Sequence, residues 1–198
     1  MIVLINGSFG VGKTTVARLL RKKVRGSVIY DPEWAGVALM RSAKWIRYEG
    51  SGTDDFQDIR LWRRLTVAGS KLSRRLFSGP VILPMTFTDR VYFDEILSGL
   101  TQIDPDVKVF CLRANLETVR QRIAQRATDN EPRAANWVAR RIIDCAEAHR
   151  DPHFGQPLET DGRSVNEVVA DIEAQLFSFG TRLSLSSPRQ RRTDGSQT

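Results

Sequence analysis

Gly7-Ser8-Phe9-Gly10-Val11-Gly12-Lys13-Thr14 is the stretch in which residue types and spacing by themselves specify a chemistry. It fits G-x-x-x-x-G-K-[ST], the phosphate-binding P-loop, with both fixed glycines, the lysine and the hydroxyl in place. Glycines let successive backbone N–H groups converge on an anion, and a helix N-terminus adds its positive dipole end. Lys13 would bridge β- and γ-phosphate oxygens, and the Thr14 hydroxyl would ligate Mg²⁺. Such a match needs a strand before it and a helix after it. Ile2-Val3-Leu4-Ile5 leads in as a short apolar run, and Thr15-Val16-Ala17-Arg18-Leu19-Leu20 leads out at helical spacing. Gly7 to Thr15 are therefore the expected contacts of a nucleoside triphosphate, ATP with Mg²⁺.

Two further groups of residues bear on what is done with that phosphate. Ser27-Val28-Ile29-Tyr30-Asp31 reads as a short strand ending in a carboxylate, broken by Pro32. Asp31 in that position faces the γ-phosphate, where it would accept the proton of an attacking hydroxyl or hold Mg²⁺ through water. Its alternative is a plain turn aspartate. Glu33 has a weaker claim, as a ligand of a substrate hydroxyl. Arg122 and Arg126 lie four apart on one predicted helix face and lead into a proline-containing loop, with Arg133, Arg140 and Arg141 beyond it. A basic helix–loop–helix over the site supplies the mobile positive charge that phosphoryl transfer needs. Its alternative is a solvated basic face.

The elements that must position these residues alternate strand and helix. Strands are expected at 2–5, 27–31, 81–87, 107–112 and 156–160. Helices are expected after the P-loop, from Thr53 to about Phe77, from Asp89 to Gly99, after Asn115, from about Ala135 to His149, and after the capping box Ser164-Val165-Asn166-Glu167. On the second helix, Phe56, Ile59, Trp62, Leu65, Ala68, Leu72 and Leu76 recur at helical spacing, with Trp62 a core residue. The pattern predicts an α/β P-loop NTPase three-layer sandwich with a central five-stranded parallel sheet and a small helical lid at about 126–141. One domain spans 1–184, and 185–198, rich in Ser, Arg and Gln, reads as a disordered tail. Ligands of such a sheet sit beyond its C-terminal strand ends, which would gather the P-loop, Asp31, the Met85–Asp89 loop and Arg113.

Composition bounds the rest. The 198 residues suit one domain, and the formal net charge of +7 comes mostly from arginine, whose rigid fork suits phosphate. A nucleic-acid partner is the reading that charge alone would allow. It ranks last because the arginines cluster near the presumed phosphate site and lid. Cys111 and Cys145 have neither CxxC nor zinc-ligand spacing and read as buried free thiols. No apolar run nears the roughly 18 residues that cross a bilayer, so no transmembrane segment and a cytoplasmic location are expected. Oligomeric state is not readable from the sequence.

These parts together resemble the nucleoside- and nucleotide-kinase-like P-loop phosphotransferases, and among them the tunicamycin-resistance protein family. The resemblance rests on Ile5-Asn6-Gly7-Ser8-Phe9-Gly10-Val11-Gly12-Lys13-Thr14, on Leu112-Arg113-Ala114-Asn115-Leu116-Glu117-Thr118-Val119, on the pair Arg122 and Arg126, on Trp137, and on Thr160-Asp161 before the last helix. It covers about residues 1–178. It implies that Arg122 packs on the adenine, that Arg126 reaches phosphate, that Asp31 is the base or metal-organising carboxylate, and that the Asp161–Ser164 loop with Arg163 borders the adenine. There is one departure. Many P-loop enzymes end the third strand in a magnesium-binding aspartate, but here the stretch reads Leu83-Pro84-Met85-Thr86-Phe87, so magnesium would depend on Thr14, the phosphates and water held by Asp31, which puts such a role for Asp89 in doubt.

The acceptor pocket is expected among residues 34–66 and the Met85–Phe87 loop, with Asp31, Glu33, Trp34, Arg41 and Met85 as contacts. Trp34, Met40, Trp45, Tyr48 and Trp62 offer flat apolar surface, with core the favoured reading for Trp62, while Arg41, Lys44 and Arg47 offer donors. That mixture suits a large amphipathic small molecule. By resemblance, the acceptor is a tunicamycin-like nucleoside antibiotic. A nucleotide-loaded protein that sequesters the drug without turnover, and a kinase of another small metabolite, are the competing readings.

Overall fold

All six residues of β1 (Ile2–Gly7) are buried, as a central strand covered on both faces requires. The computed structural model describes residues 1–32, 58–125 and 141–177. Within them, β1, β2 (Val28–Ile29), β3 (Val81–Pro84), β4 (Val107–Arg113) and β5 (Gln156–Glu159) form one parallel sheet in the order β2-β3-β1-β4-β5. Leu4 of β1 pairs with Leu83 on one side and Val109 on the other. The strand order switches at β1, so the loop leaving β1 opens into the crevice where ligands of such sheets bind.

Alternation along β1 sends successive side chains to two separate cores. Val3 and Ile5 pack with Val16, Ala17 and Leu20 of α1 (Lys13–Lys23) and with Val168, Val169 and Ile172 of α6 (Val165–Phe177). Ile2 and Leu4 face Trp62 of α2 (Arg60–Leu76) and Phe93, Ile96 and Leu100 of α3 (Arg90–Ile103), together with Phe154 from a short 3₁₀ turn at Pro152–Phe154. α4 (Leu116–Ala124) follows β4, and a helical stretch at 141–148 (α5) precedes the 3₁₀ turn.

The capping box forms as expected before α6. Ser164 N–H and Oγ both reach Glu167 Oε2 at 2.7 Å, and Glu167 N–H returns to Ser164 Oγ at 3.3 Å. Cys111 and Cys145 are buried free thiols, each pushed up to about 11 by burial.

Three local expectations are corrected. Gly99 does not end α3, which runs on to Ile103. A Cβ at Gly99 would stand 2.7 Å from Val67 Cγ2, so the glycine serves close approach to α2 rather than a stop. α2 begins at Arg60 after an extended Ile59, so the helix does not continue unbroken from Thr53, and residues 53–57 lie outside the described ones. Its apolar stripe also splits. Trp62 points inward with Arg63, Thr66 and Ser70, whereas Leu65, Leu72 and Leu76 are exposed, the last at 68%. The helix is turned by its polar ties. Thr66 and Ser70 hydroxyls bond back to the carbonyls of Trp62 and Thr66, at 3.0 and 2.8 Å, and Arg63 Nε meets Glu95 Oε2 at 2.7 Å while lying over the Tyr92 ring. Periodicity counts apolar residues but cannot see these partners.

Candidate active site

The P-loop begins where β1 ends. Gly10 and Gly12 adopt φ of +78° and +112°, left-handed values that a side chain disfavours. At Gly10 space is lacking too, since a Cβ would meet Ile123 Cγ1 of α4 at 2.7 Å. Gly12 is the N-cap of α1, so Lys13, Thr14 and Thr15 form its first turn. Lys13 is nearly buried, at 9% exposure, and its Nζ donates to the carbonyls of Gly7 (2.9 Å) and Ser8 (3.0 Å), 5.4 Å from the Phe9 ring centroid. The ammonium is thus held inside the loop, within reach of an anion bound there.

A cavity of about 190 Å³ is lined by Ser8, Phe9, Gly10, Gly12, Lys13, Thr14, Thr15, Asp31 and Pro84. The structure therefore brings Asp31 together with the P-loop. Asp31 follows β2, where Tyr30 N–H is bonded to Ile82 O. Two side-chain ties hold this strand end against α2. Tyr30 Oη donates to Leu65 O at 3.2 Å, and Trp62 Nε1 donates to Pro32 O at 2.8 Å in the buried interior. Burial first, and then the Asp31 carboxylate, raise the Tyr30 phenol above its usual range. Trp62 is core, as its spacing suggested, and it also fixes the turn that presents Asp31.

A second cavity, of about 220 Å³, lies on the other side of the P-loop between Val11, Gly12, Thr15, Arg122, Gln125, Thr160, Arg163 and α6 residues Val165 and Val168. Arg122 Nη1 donates to Val11 O (3.2 Å) and Thr160 Oγ1 (3.0 Å), and its Nη2 to Thr160 O (3.0 Å). Arg163 reaches Glu159 O at 3.3 Å and Asp171 Oδ2 at 2.7 Å. Both arginines expected near an adenine thus line one pocket whose remaining walls are largely apolar. The residues present fit a nucleotide: a glycine cradle that side chains would fill, a lysine inside it, and an adjoining slot. They fit magnesium as well, since the exposed Thr14 hydroxyl shares its cavity with the Asp31 carboxylate.

Other expected residues fall differently. Met85 is 1% exposed and packs into the core on the α2–α3 face, so its side chain does not line an acceptor pocket. Asp89 caps α3, its Oδ1 accepting Tyr92 N–H at 2.9 Å. Asn115 stands at the N-cap of α4 without a side-chain cap bond, and its N–H donates to Asp161 Oδ2 instead. Arg113 lines a third cavity of about 460 Å³, behind Ser8, with Asn115, His149, Arg150 and Glu159. This is the largest cavity of the three, but Lys13 and Asp31 do not line it. Glu33, Trp34, Arg41 and Arg126 lie outside the described residues, as do Trp137 and most of the expected lid and tail.

Sequence reasoning named Asn6 only within the family-like loop and His149 only as a helix end, and missed the bonds each makes. Asn6 is fully buried in β1, and His149 is buried at the end of α5. Burial first, then the positive charges of Lys13, Arg113 and Arg141, push the His149 imidazole down to about 4, against the opposing effect of its bond to Phe87 O. The only signal in the sequence was a polar residue, Asn6, inside an apolar strand.

Residues 2–151 match the model of the family described as AAA domain. No curated protein matches the chain. Among solved structures, the Deinococcus radiodurans tunicamycin resistance protein superposes with a TM-score of 0.68 at 26% identity, over 88% of this chain and 94% of that one. A gluconokinase from Sinorhizobium meliloti gives 0.60 at 16% identity over 89% and 91%, and a shikimate kinase from Acinetobacter baumannii, solved with shikimate, gives 0.58 at 16% over 91% and 95%. The last two establish likeness of fold alone. The fold is that of the P-loop kinases.

Proposed function

We propose that this chain, which belongs to the AAA domain family, is an ATP- and Mg²⁺-dependent phosphotransferase that moves the γ-phosphate to a hydroxyl of a small molecule. The observation that carries the proposal is the shared cavity of Lys13, Thr14 and Asp31. A carboxylate opposite a P-loop lysine is placed to receive a proton from a hydroxyl attacking phosphorus in line. ATP supplies the phosphoryl group, and magnesium draws negative charge from its oxygens.

The chain's own residues do the rest. Lys13 turns from the carbonyls of Gly7 and Ser8 toward phosphate oxygens. The N–H groups of the loop from Gly7 to Gly12, with Thr15, hold the phosphates, and Thr14 offers its hydroxyl to the metal. Arg122 and Arg163 border the base. Asp31 takes the acceptor's proton as the oxygen–phosphorus bond forms and the bond to the leaving nucleotide breaks. Arg126 is proposed to add positive charge. Glu33, Trp34 and Arg41 are the proposed acceptor contacts, and Met85, now packed in the core, is not among them.

The acceptor we propose is a tunicamycin-like nucleoside antibiotic, which would make the activity a resistance function. The support is the fold shared at 26% identity with the Deinococcus radiodurans tunicamycin resistance protein, together with the family resemblance carried by the sequence from Ile5 to Thr14. The test is turnover with tunicamycin. Asp31→Asn lowers kcat by about 10²- to 10⁴-fold, the range of a lost general base, with nucleotide affinity nearly unchanged. Lys13→Ala abolishes transfer. Near-normal turnover in Asp31→Asn removes the proposed base.

A further inference from the structure

We infer that Asn6 and His149 are positioning residues that lock the loop after β3 to the P-loop, so that a bound nucleotide stiffens the acceptor-side wall. The inference rests on the phosphotransferase reading above. Its geometry centres on Phe87, whose backbone is gripped by side chains on both sides. Phe87 N–H donates to Asn6 Oδ1 at 2.9 Å, and Phe87 O lies 2.7 Å from His149 Nε2.

The same Asn6 oxygen accepts Gly7 N–H, the first glycine of the P-loop, at 2.8 Å, while Asn6 Nδ2 donates to Phe154 O at 3.3 Å. Those partners fix the amide's orientation, because the oxygen faces two N–H donors and the nitrogen faces a carbonyl. One fully buried atom is therefore shared by the P-loop and the acceptor-side loop. Motion of Gly7 on nucleotide binding reaches Phe87 without passing through solvent. A buried amide left without such partners is costly, which favours keeping these bonds made.

His149 supplies the second grip. A carbonyl accepts only from a protonated ring nitrogen, so Nε2 carries the hydrogen in the neutral ring. Arg141 Nη1 adds a third tie from α5, to Thr88 Oγ1 at 3.3 Å. Pro84, just before this loop, lines the cavity of Lys13 and Asp31. A loop shift of an ångström there moves a bound hydroxyl off the in-line path, which is enough to cost about 10²-fold in rate.

The test is hydrogen–deuterium exchange of the full chain over residues 85–88, with and without saturating MgADP, alongside calorimetric ADP affinity. In the wild type, ADP slows exchange there by about fivefold or more, the lower range of coupling between sites. In Asn6→Ala, exchange is fast with or without ADP, although ADP still binds. His149→Phe behaves the same way. His149→Gln, which keeps an N–H donor, restores the ADP effect and supplies the comparison should Asn6→Ala fail to fold. A purely structural role would raise exchange in both states and leave the ADP-dependent difference intact. That result, or an ADP-loaded wild type with unchanged exchange, overturns the inference. A wild type that binds no ADP instead sinks the phosphotransferase reading, and the inference with it.

Discussion

The two walls of the cleft are held by different kinds of bond. On the nucleotide side, Arg122 and Arg163 reach from half-exposed positions to the P-loop, Thr160, the Glu159 carbonyl of β5 and Asp171, through charged donors. On the acceptor side, Trp62, Asn6 and His149 hold Pro32 and Phe87 through neutral bonds inside the core. Charged, water-reachable ties rearrange at modest cost, whereas neutral buried ties cannot be broken without leaving polar groups stranded. On the proposed reading, the ties of the nucleotide wall bear on affinity, whereas those of the acceptor wall are part of what keeps the protein folded.

The sharpest way to break that contrast is Trp62→Ala. It empties a fully buried site and strands Pro32 O, and it should cost about 3–5 kcal/mol in denaturant unfolding. A cost near that of a surface change would mean the acceptor wall is not core. The next effect is on pH. His149 is held at about 4 in the folded chain, below its ordinary 6.5, so between those values the unfolded chain binds a proton that the folded one refuses. The contribution to stability is complete above pH 6.5 and is lost as the pH falls toward 4, by up to about 3 kcal/mol. Unfolding followed across that window should show the loss in the wild type and not in His149→Gln. The smallest effect sharpens the other half. Arg122→Ala should weaken nucleotide binding by about 3- to 30-fold, the worth of a guanidinium stacked on an aromatic base, while unfolding changes by only about 1 kcal/mol. A stability loss as large as that of Trp62→Ala would erase the distinction.

How far each wall was legible follows from the same difference. The P-loop is a local signal: contiguous glycines, a lysine and a hydroxyl between a strand and a helix, and all of it lies where its spacing put it. The five strands were legible too: β1, β3 and β4 as apolar runs bounded by turns, and β2 and the largely exposed β5 as short segments set off by glycine and proline. Arg122 and Arg163 came from likeness to a family and do share one pocket. The acceptor wall was not legible, because its hydrogen bonds join residues far apart in the chain: Asn6 with Phe87, His149 with Phe87, Trp62 with Pro32. Met85 looked like a pocket residue because it follows a strand end, but its side chain is turned into the core. The leucines of α2 repeat at helical spacing with Trp62, but Arg63 and Ser70 share its inner face while Leu65, Leu72 and Leu76 are exposed. Gly99 read as a stop because glycine often is one, and only the neighbouring Val67 reveals its packing role.

The central claim is phosphoryl transfer to a tunicamycin-like acceptor at the cavity of Lys13 and Asp31, and its most direct test is mass spectrometry of tunicamycin incubated with the protein, ATP and Mg²⁺. The account predicts a gain of one HPO₃ on the drug with the wild type, and none with Lys13→Ala or Asp31→Asn. Unmodified drug from a wild type saturated with ATP would contradict it.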